Sequence, residues 1–447
     1  MIELYTVEQV LALAPDASSV KSGKELSSER KWLSLGTSTQ AIWGECQGSG
    51  SQPYQTRIDL RGPAFKCSCP SRKFPCKHGL GLFLLRLNKK EAFQEATPPS
   101  WVGDWLASRD EAGQRKEKRE AKQLSPEELQ ASLQSKEKRK QGRIGQIDSG
   151  IEELELFLQD LVSGGIASLK TKPYSFFADR AARLVDAQAP GLAKMLRRLG
   201  TACGAVDYQD RFLSSLADIY TLVSAYKNRE SLPAPLREDV IAAIGIPQSQ
   251  EELLKQDGIK DIWLTVGQYS YSEDKLKIQK TYLWGLTSGK TALILSFAHG
   301  LAPFDTMLVP GHFYDATLVF FPSNEPLRAL IKERTGGLDR SEFPQAGLTI
   351  DDAMTQFAAS LARIPFAESK ATLLSDVHVT IAGDSFILHD RQSSVPLKIK
   401  DLLGWQLVAF SSGKPLSIFG EWNGYQFQAL SAIKRSSFMK LAYSGET

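Results

Sequence analysis

Three cysteines and a histidine lie within twelve positions of the stretch FKCSCPSRKFPCKHGLGLFLL, residues 65–85. They form the pattern Cys-x-Cys-x6-Cys-x-His, with Cys67, Cys69, Cys76 and His78 at its four marked positions. Three thiolates and one imidazole are a ligand set that tetrahedral Zn²⁺ accepts, at roughly 2.3 Å for sulfur and about 2.0–2.1 Å for nitrogen. Because these ligands fill every coordination position, the spacing predicts one structural zinc ion.

Alternatives to zinc fit these residues less well. An iron–sulfur centre normally uses four cysteines, which the mixed set does not provide. Burial without metal conflicts with the polar neighbours Ser68, Arg72, Lys73 and Lys77. A redox dithiol would benefit from the nearby basic residues, which lower thiol pKa values, but it leaves the histidine without a role.

Length and composition limit the class of protein. With 447 residues, 42% hydrophobic and 23% charged, the chain can bury a large core and is long enough for several domains. The five cysteines are mostly clustered and odd in number, unlike the disulfide framework of a small secreted protein. We expect a cytoplasmic protein without membrane contact, since no apolar run reaches eighteen residues and MIELYTVEQVLALAPD lacks signal-peptide features.

Basic charge is concentrated in the first third of the chain. Residues 1–108 carry 13 basic and 10 acidic side chains and residues 109–146 carry 11 and 7, whereas the remainder is net acidic. Around the cysteine cluster only Asp59 opposes a set of basic residues. These are Arg57, Arg61, Lys66, Arg72, Lys73, Lys77, Arg86, Lys89 and Lys90. Such a patch raises the local concentration of an anionic partner, with DNA or RNA first among the candidates.

The pattern of apolar residues predicts an α+β multi-domain fold that begins with a small β-β-α zinc finger in residues 1–108. Thr6 and Gln9 have the spacing of a capping box at the start of a short helix. Strand-like runs AIWGECQ, YQTRIDL and AFKCSC are separated by turn residues, and the leucine-rich segment after His78 has the length of a helix. The aromatic residues expected to pack in this unit are Trp43, Tyr54, Phe65 and Phe83.

The rest of the chain divides into three predicted parts. Residues 109–146 are polar and alternately charged, which favours a solvated linker with some helix after Ser125, or a basic arm that docks on nucleic acid. Residues 147–257 show helical spacing broken by Gly and Pro, which predicts a helical bundle. Residues 258–447 contain short β-branched and aromatic runs, among them WQLVAFS, and predict a mostly antiparallel β domain with one or two helices.

The cysteine pattern, the preceding strands and the leucine-rich helix resemble the bacterial SWIM zinc finger proteins. The similarity covers about residues 28–108, from ECQGSGSQPYQTRIDL to CSCPSRKFPCKHGLGL, and extends to the charged linker that follows. It implies a β-β-α finger with zinc held by Cys67, Cys69, Cys76 and His78, a binding role toward DNA or protein, and no enzymatic activity. It also implies a possible adaptor role for an AAA+ ATPase of the MoxR type that acts with von Willebrand factor A proteins.

Two classes of function stay open for the finger. In a nucleic-acid-binding module, Arg72, Lys73 and Lys77 in or beside the ligand loop would contact phosphates, with solvated surface as the alternative for these side chains. In an interaction module, the finger or the other domains would bind a protein.

An enzyme in the β domain is the weaker hypothesis. Gly289-Lys290-Thr291 lacks the upstream glycine of a phosphate-binding loop and favours a turn between strands. The histidines there, His299, His312, His378 and His389, stand in no recognisable catalytic frame.

Overall fold

The chain folds into an α+β arrangement of a small sheet, a helical bundle and two further sheets. The computed structural model describes residues 5–48, 52–61, 63–71, 73–121, 126–165, 169, 172–202, 208–273, 276–299, 304, 307–338, 340, 342–344 and 347–441. Its helices in these ranges are α1 (Val7–Ala12), α2 (Ala17–Leu26), α3 (Lys77–Asn88), α4 (Ser100–Ala121), α5 (Pro126–Ser163), α6 (Tyr174–Asp186), α7 (Pro190–Ala202), α8 (Tyr208–Lys227), α9 (Ala234–Ile244), α10 (Gln250–Leu254), α11 (Ile350–Arg363) and α12 (Asp401–Ser411). None of these helices has the length and apolar character needed to cross a membrane.

The strands form separate sheets before and after the helical region. The strands of the described residues are β1 (Trp32–Thr37), β2 (Ala41–Cys46), β3 (Tyr54–Asp59), β4 (Ala64–Cys67), β5 (Gln94–Glu95), β6 (Ile259–Glu273), β7 (Leu276–Gly285), β8 (Thr291–His299), β9 (Phe313–Phe320), β10 (Ala329–Leu338), β11 (Lys370–Ala382), β12 (Ser385–His389), β13 (Ser394–Lys398), β14 (Leu416–Trp422), β15 (Phe427–Lys434) and β16 (Ser437–Lys440).

The N-terminal sheet has the order β4–β3–β2–β1–β5 and is antiparallel except between β1 and β5. The three strand-like runs of the sequence are β2, β3 and β4, so their prediction is confirmed. Thr6 and Gln9 form the predicted capping box at α1, with both reciprocal hydrogen bonds present. Helix α3 packs on the sheet through Phe65 and Phe83, both almost fully buried, which confirms them as core residues.

The segment predicted as a linker, residues 109–146, lies largely in helices. The first part of this segment lies in helix α4 and the last part lies in α5. Helix α5 then continues into the bundle. The N-terminal turns of α4 are held by contact with the finger, because Val102, Trp105 and Leu106 pack against Ala41 and Trp43. The boundaries of this segment stay a prediction.

Helices α5 to α9 form the predicted helical bundle around one apolar core. Its central residues, all less than 4% exposed, include Ile147, Phe177, Leu192, Leu196, Ile219 and Val240. The apolar positions along each helix recur at helical spacing, so burial of one face of each helix stabilises the bundle.

The C-terminal part consists of two sheets packed on each other. One has the order β10–β9–β6–β7–β8, and in the other β13 pairs with both β12 and β15, so that β13–β12–β11–β14–β15 close into a ring. Gly267 lies where the sheets approach, and a side chain there would press on Phe419 and Leu430. The predicted turn around Gly289 joins β7 to β8 and is confirmed.

One strand prediction in this part is wrong. The segment WQLVAFS belongs to α12, whose buried residues include Leu403, Gly404 and Leu407. A short apolar run does not distinguish a buried helix from a strand by periodicity. The helix buries Leu407 in the same apolar cluster as Phe386, while Trp405 packs edge-on against the Phe386 ring and stays largely exposed.

The finger and the C-terminal sheets share part of a core. Val309 belongs to the apolar cluster of the finger, and the rings of Tyr5 and His312 stack with centroids 4.9 Å apart. The Gln9 side chain donates to the carbonyl of Gly311 at 3.1 Å, and the Lys440 Nζ donates to the carbonyl of Ala12 at 2.7 Å. The finger therefore packs against the β region and is not a structurally independent domain.

Candidate metal centre

The sheet and the helix of the finger bring the four predicted ligands together. Cys67 ends β4 and Cys69 follows it, while Cys76 and His78 lie at the start of α3. The three sulfur atoms and a ring nitrogen of His78 all lie within 4.8 Å of one another. Within the described residues, no other group of three or more His, Cys, Asp or Glu side chains could hold a metal ion.

The spacing of these atoms suits a tetrahedral ion. Ligands at zinc–sulfur and zinc–nitrogen bond lengths lie roughly 3.5–3.8 Å apart on the edges of a tetrahedron. The Sγ of Cys67 and the Nδ1 of His78 are 3.8 Å apart. Cys76 and His78 are buried, whereas Cys67 and Cys69 are half-buried at the surface. The side of the cluster formed by Cys76 and His78 is therefore covered by protein. The side formed by Cys67 and Cys69 is accessible to an ion from solvent.

The start of α3 stabilises negative charge on the cluster. Cys76 is the N-cap residue of α3, and its Sγ accepts the backbone N–H of Gly79 at 3.5 Å. A helix N-terminus favours a thiolate through its partial positive charge. The hydroxyl of Thr56 lies 3.2 Å from the Sγ of Cys67 and adds a second polar contact.

Without metal the cluster holds protons that an ion must displace. Hydrogen bonds shared with Cys67 and Cys69 raise the pKa of the Cys76 thiol, whereas hydrogen bonds from Cys67 and Cys76 lower the pKa of Cys69. Burial alone would lower the pKa of His78, but the neighbouring Cys67 and Cys69 raise it to about 9. Metal binding releases these protons, so the affinity for metal falls as the pH falls.

Close packing fixes α3 behind the cluster. A Cβ atom at Gly79 would lie 2.9 Å from the Phe65 ring, and one at Gly81 would lie 2.6 Å from the Cβ of Leu26. The two glycines therefore let the sheet and α2 approach the first turns of α3, although glycine weakens a helix interior. This packing explains why a helix with such a glycine-rich start forms at this position.

The basic residues predicted beside the ligands differ in their surroundings. Lys73 forms an ion pair with Asp16 at 2.7 Å, and this contact ties the ligand loop to the N-cap of α2. Lys77 is exposed and forms no ion pair in the described part of the chain. Arg72 lies outside the described residues. Of the two predicted phosphate contacts that the structure describes, Lys77 is the one whose charge faces solvent without a carboxylate partner.

The sequence analysis did not predict a cation–π cluster on the face of the sheet opposite the four ligands. The guanidinium of Arg57 lies 5.2 Å from the ring of Trp101 and 5.7 Å from that of Trp105, both on α4. Such cation–π contacts contribute about 0.5–2 kcal/mol each. The spacing of the two tryptophans four residues apart was the available signal, since it places both rings on one face of a helix.

The other described cysteine and histidines are not among the four clustered ligands. Cys46 is buried and burial raises its pKa to about 11, in keeping with a small apolar side chain, while Cys203 lies outside the described residues. His312 is buried against Tyr5, and the rings of His378 and His389 stack across adjacent strands with centroids 5.4 Å apart.

These features define a class of protein module. A sheet that presents two cysteines, followed by a helix whose first turn presents a cysteine and a histidine, is a zinc finger built on a Cys₃His donor set. The donor set fits zinc, and the metal would supply folding free energy to a unit with a small apolar core.

Comparison with known families identifies the type of finger. Residues 66–87 match the SWIM zinc finger, and residues 142–244 match the SWIM-associated four-helix bundle domain. The predicted resemblance to SWIM zinc finger proteins is confirmed, and the similarity extends to the helical bundle that the sequence patterns predicted without assigning it to a family. Comparison with curated proteins and with solved structures gave no match.

Proposed function

We propose that the chain is a binding module in which zinc, held by Cys67, Cys69, Cys76 and His78, shapes a surface for the phosphate backbone of DNA or RNA. The observation that carries the proposal is the set of exposed lysines around the closed cluster. Lys31 and Lys77 are exposed there, and neither pairs with a carboxylate within the described part of the chain.

A role in binding follows from the chemistry of the cluster. The four protein ligands leave no coordination position for water or substrate, so the metal acts on structure. Backbone phosphates are recognised by lysine as a point charge, and such contacts give affinity with little sequence preference. Burial raises the pKa of Cys46, and the charges of Lys31 and Lys77 both oppose this rise, so both ammonium groups lie in the neighbourhood of that thiol.

Lys77→Ala is expected to weaken nucleic-acid binding and to flatten its salt dependence by roughly 0.7–0.9 in the slope of log K against log salt. Lys73→Ala should have a smaller effect, because the Lys73 charge is already paired with Asp16. The measurement is fluorescence anisotropy of labelled single- and double-stranded oligonucleotides with the full chain at several salt concentrations.

Lys398→Ala provides the matched control, since Lys398 is an exposed lysine on β13, outside the finger. It should leave the slope unchanged, and the zinc content of all three variants should equal that of the parent chain. Undetectable binding at low salt, or an equal effect of the control, would exclude the proposal.

A second candidate function is an adaptor that binds a protein, and a groove in the bundle favours it. A cavity of about 530 Å³ lies between α5 and α6, and its lining includes Gly142, Gly145, Ser149 and Gly150. A side chain added at Gly142 or Gly145 would meet nothing within 4 Å, so this part of the lining faces open space. The resemblance to SWIM proteins points to an AAA+ ATPase of the MoxR type as the partner.

Gly145→Leu is expected to block the groove and abolish capture of the ATPase in a native pull-down that survives nuclease treatment. Leucine is a better helix former than glycine, so the change should not unfold α5. Gly103→Leu is the control, because Gly103 on α4 also has nothing within 4 Å. Capture that persists in Gly145→Leu, or that requires nucleic acid, would count against the adaptor.

A further inference from the structure

A second cavity lies where the finger, α4 and the C-terminal sheets meet. It has a volume of about 350 Å³, and its charged lining comes from the end of β3 and the turn after it, from α4 and from β10. The charged side chains are Asp59, Arg61, Arg109, Asp110 and Arg334. A volume of this size falls in the range of small-molecule sites.

A buried carboxylate positions two of the three guanidinium groups. Asp59 is 2% exposed, and it accepts hydrogen bonds from the Nε of Arg61 at 3.1 Å and from the Nε of Arg109 at 3.2 Å. A terminal nitrogen of Arg61 also donates to Asp110 at 2.8 Å. These contacts hold Arg61 and Arg109 in place before any ligand arrives, so little side-chain entropy is lost on binding.

The third guanidinium is held without a carboxylate partner. A terminal nitrogen of Arg334 donates to the carbonyl of Met307 at 3.3 Å, and the group lies 5.3 Å over the ring of Tyr314. Within the described part of the chain no carboxylate pairs with Arg334. Three guanidinium groups thus face two carboxylates, and the lining keeps a net positive charge.

The net positive charge of the cavity lining and its guanidinium N–H donors indicate the chemistry of the ligand. An arginine offers five N–H donors in a planar fork, and phosphate accepts such donors in pairs. Phe74 and Met307 add an apolar wall to the same cavity. A cation would be repelled by the excess of guanidinium groups, and a ligand without charge would leave that excess uncompensated.

We propose that this cavity binds a phosphomonoester attached to a planar ring, as in a mononucleotide or the 5′-phosphorylated end of a nucleic-acid strand. The phosphate lies between Arg109 and Arg334, and the ring lies against Phe74 and Met307. The inference goes beyond the proposed function, because a mononucleotide in this cavity requires no contact with the lysines of the finger.

The test measures binding of adenosine 5′-monophosphate, ribose 5-phosphate and inorganic phosphate to the full chain by calorimetry. Adenosine 5′-monophosphate should bind most tightly and inorganic phosphate most weakly. Arg334→Gln is expected to weaken binding of the nucleotide about tenfold or more, because it removes a charge-assisted hydrogen bond. Asp110→Asn should tighten binding about two- to fivefold, because it removes an exposed competing charge.

Controls separate this site from the finger and from loss of folding. Arg435→Gln changes an exposed arginine that does not line the cavity, and Lys77→Ala changes the finger, so both should leave nucleotide affinity unchanged. The opposite sign expected for Asp110→Asn cannot arise from unfolding. Equal affinities in the parent chain, Arg334→Gln and Asp110→Asn, or no binding of any of the three probes, would overturn the proposal.

The sources of the ligand are distinguished with oligonucleotides. A strand with a 5′-phosphate that competes with adenosine 5′-monophosphate, while its unphosphorylated form does not, identifies a strand end as a ligand. Competition by neither strand restricts the site to free mononucleotides.

Discussion

Cys76→Ser is expected to remove zinc from the chain and to unfold the finger. Cys76 supplies one of the four clustered donor atoms and is the N-cap of α3. Serine is itself a preferred N-cap residue, so the change removes a zinc ligand while the cap of α3 is kept, and unfolding reports loss of the metal. Structural zinc in finger peptides contributes about 10–16 kcal/mol of apparent binding free energy at pH 7. Elemental analysis should show about one zinc per parent chain and close to none in the variant.

Hydrogen exchange should locate the unfolding. Protection is expected to fall in α3 and β2–β4, while the bundle and the sheets around Leu264 and Phe419 keep theirs. Because Val309 packs in the core of the finger and Gln9 binds Gly311, residues 307–314 should also lose protection. A chelator should have the same effect on the parent chain.

Cys46→Ala is the matched control for loss of a thiol in the finger. Cys46 is fully buried, but its sulfur does not belong to the four-residue cluster. The control should keep its zinc and show only the modest destabilisation of a small core truncation. A Cys76→Ser chain that retains zinc at the parent level would rule out Cys76 as a ligand.

The candidate metal site was predictable from the sequence because the site is local. Two pairs of ligands, each with one residue between them, need only a strand end, a loop and a helix start to meet. The residues that form these elements lie within a few positions of the ligands. The strands β2 to β4 and the capping box at Thr6 were predictable for the same reason, since alternation and turn residues act over short distances.

The contacts that could not be predicted from the sequence join residues far apart in the chain. The ion pair between Asp16 and Lys73 changes the expected role of Lys73, and no local pattern indicates it. The packing of Trp105 on Trp43 stabilises the start of α4, and this helix then continues into a segment whose composition favours a solvated linker. The helix α12 forms from a run that also suits a strand, because Phe386 lies against it.

A buried polar network between the C-terminal sheets gives the second large expected effect. The carboxyl group of Glu421, on β14, accepts hydrogen bonds from the hydroxyls of Tyr269 and Tyr282 and lies 3.4 Å from the Nζ of Lys280. The side chain of Glu421 is only 10% exposed. Burial, followed by the charge of Glu421, holds the pKa of Tyr282 well above its usual value, so its hydroxyl keeps the proton that it donates to Glu421 even at a pH where a free tyrosine ionises.

Glu421→Ala is expected to destabilise the C-terminal sheets by about 3–5 kcal/mol, because it leaves buried hydroxyls and a partly buried ammonium without their acceptor. Urea denaturation followed by tryptophan fluorescence measures the loss, with Trp263 and Trp422 in these sheets as reporters. The finger should keep its zinc in this variant, since the network contains none of its residues.

Glu421→Gln separates the contribution of the hydrogen-bond acceptor to stability from that of the negative charge. Glutamine keeps an oxygen that can accept from Tyr269 and Tyr282 and gives up only the ion pair with Lys280, so its cost should be less than half that of Glu421→Ala. If the two variants lose equal stability, the ion pair with Lys280 dominates the network. If neither loses more than about 1 kcal/mol, which is the contribution of one ordinary hydrogen bond, the sheets are held together by their apolar contacts alone.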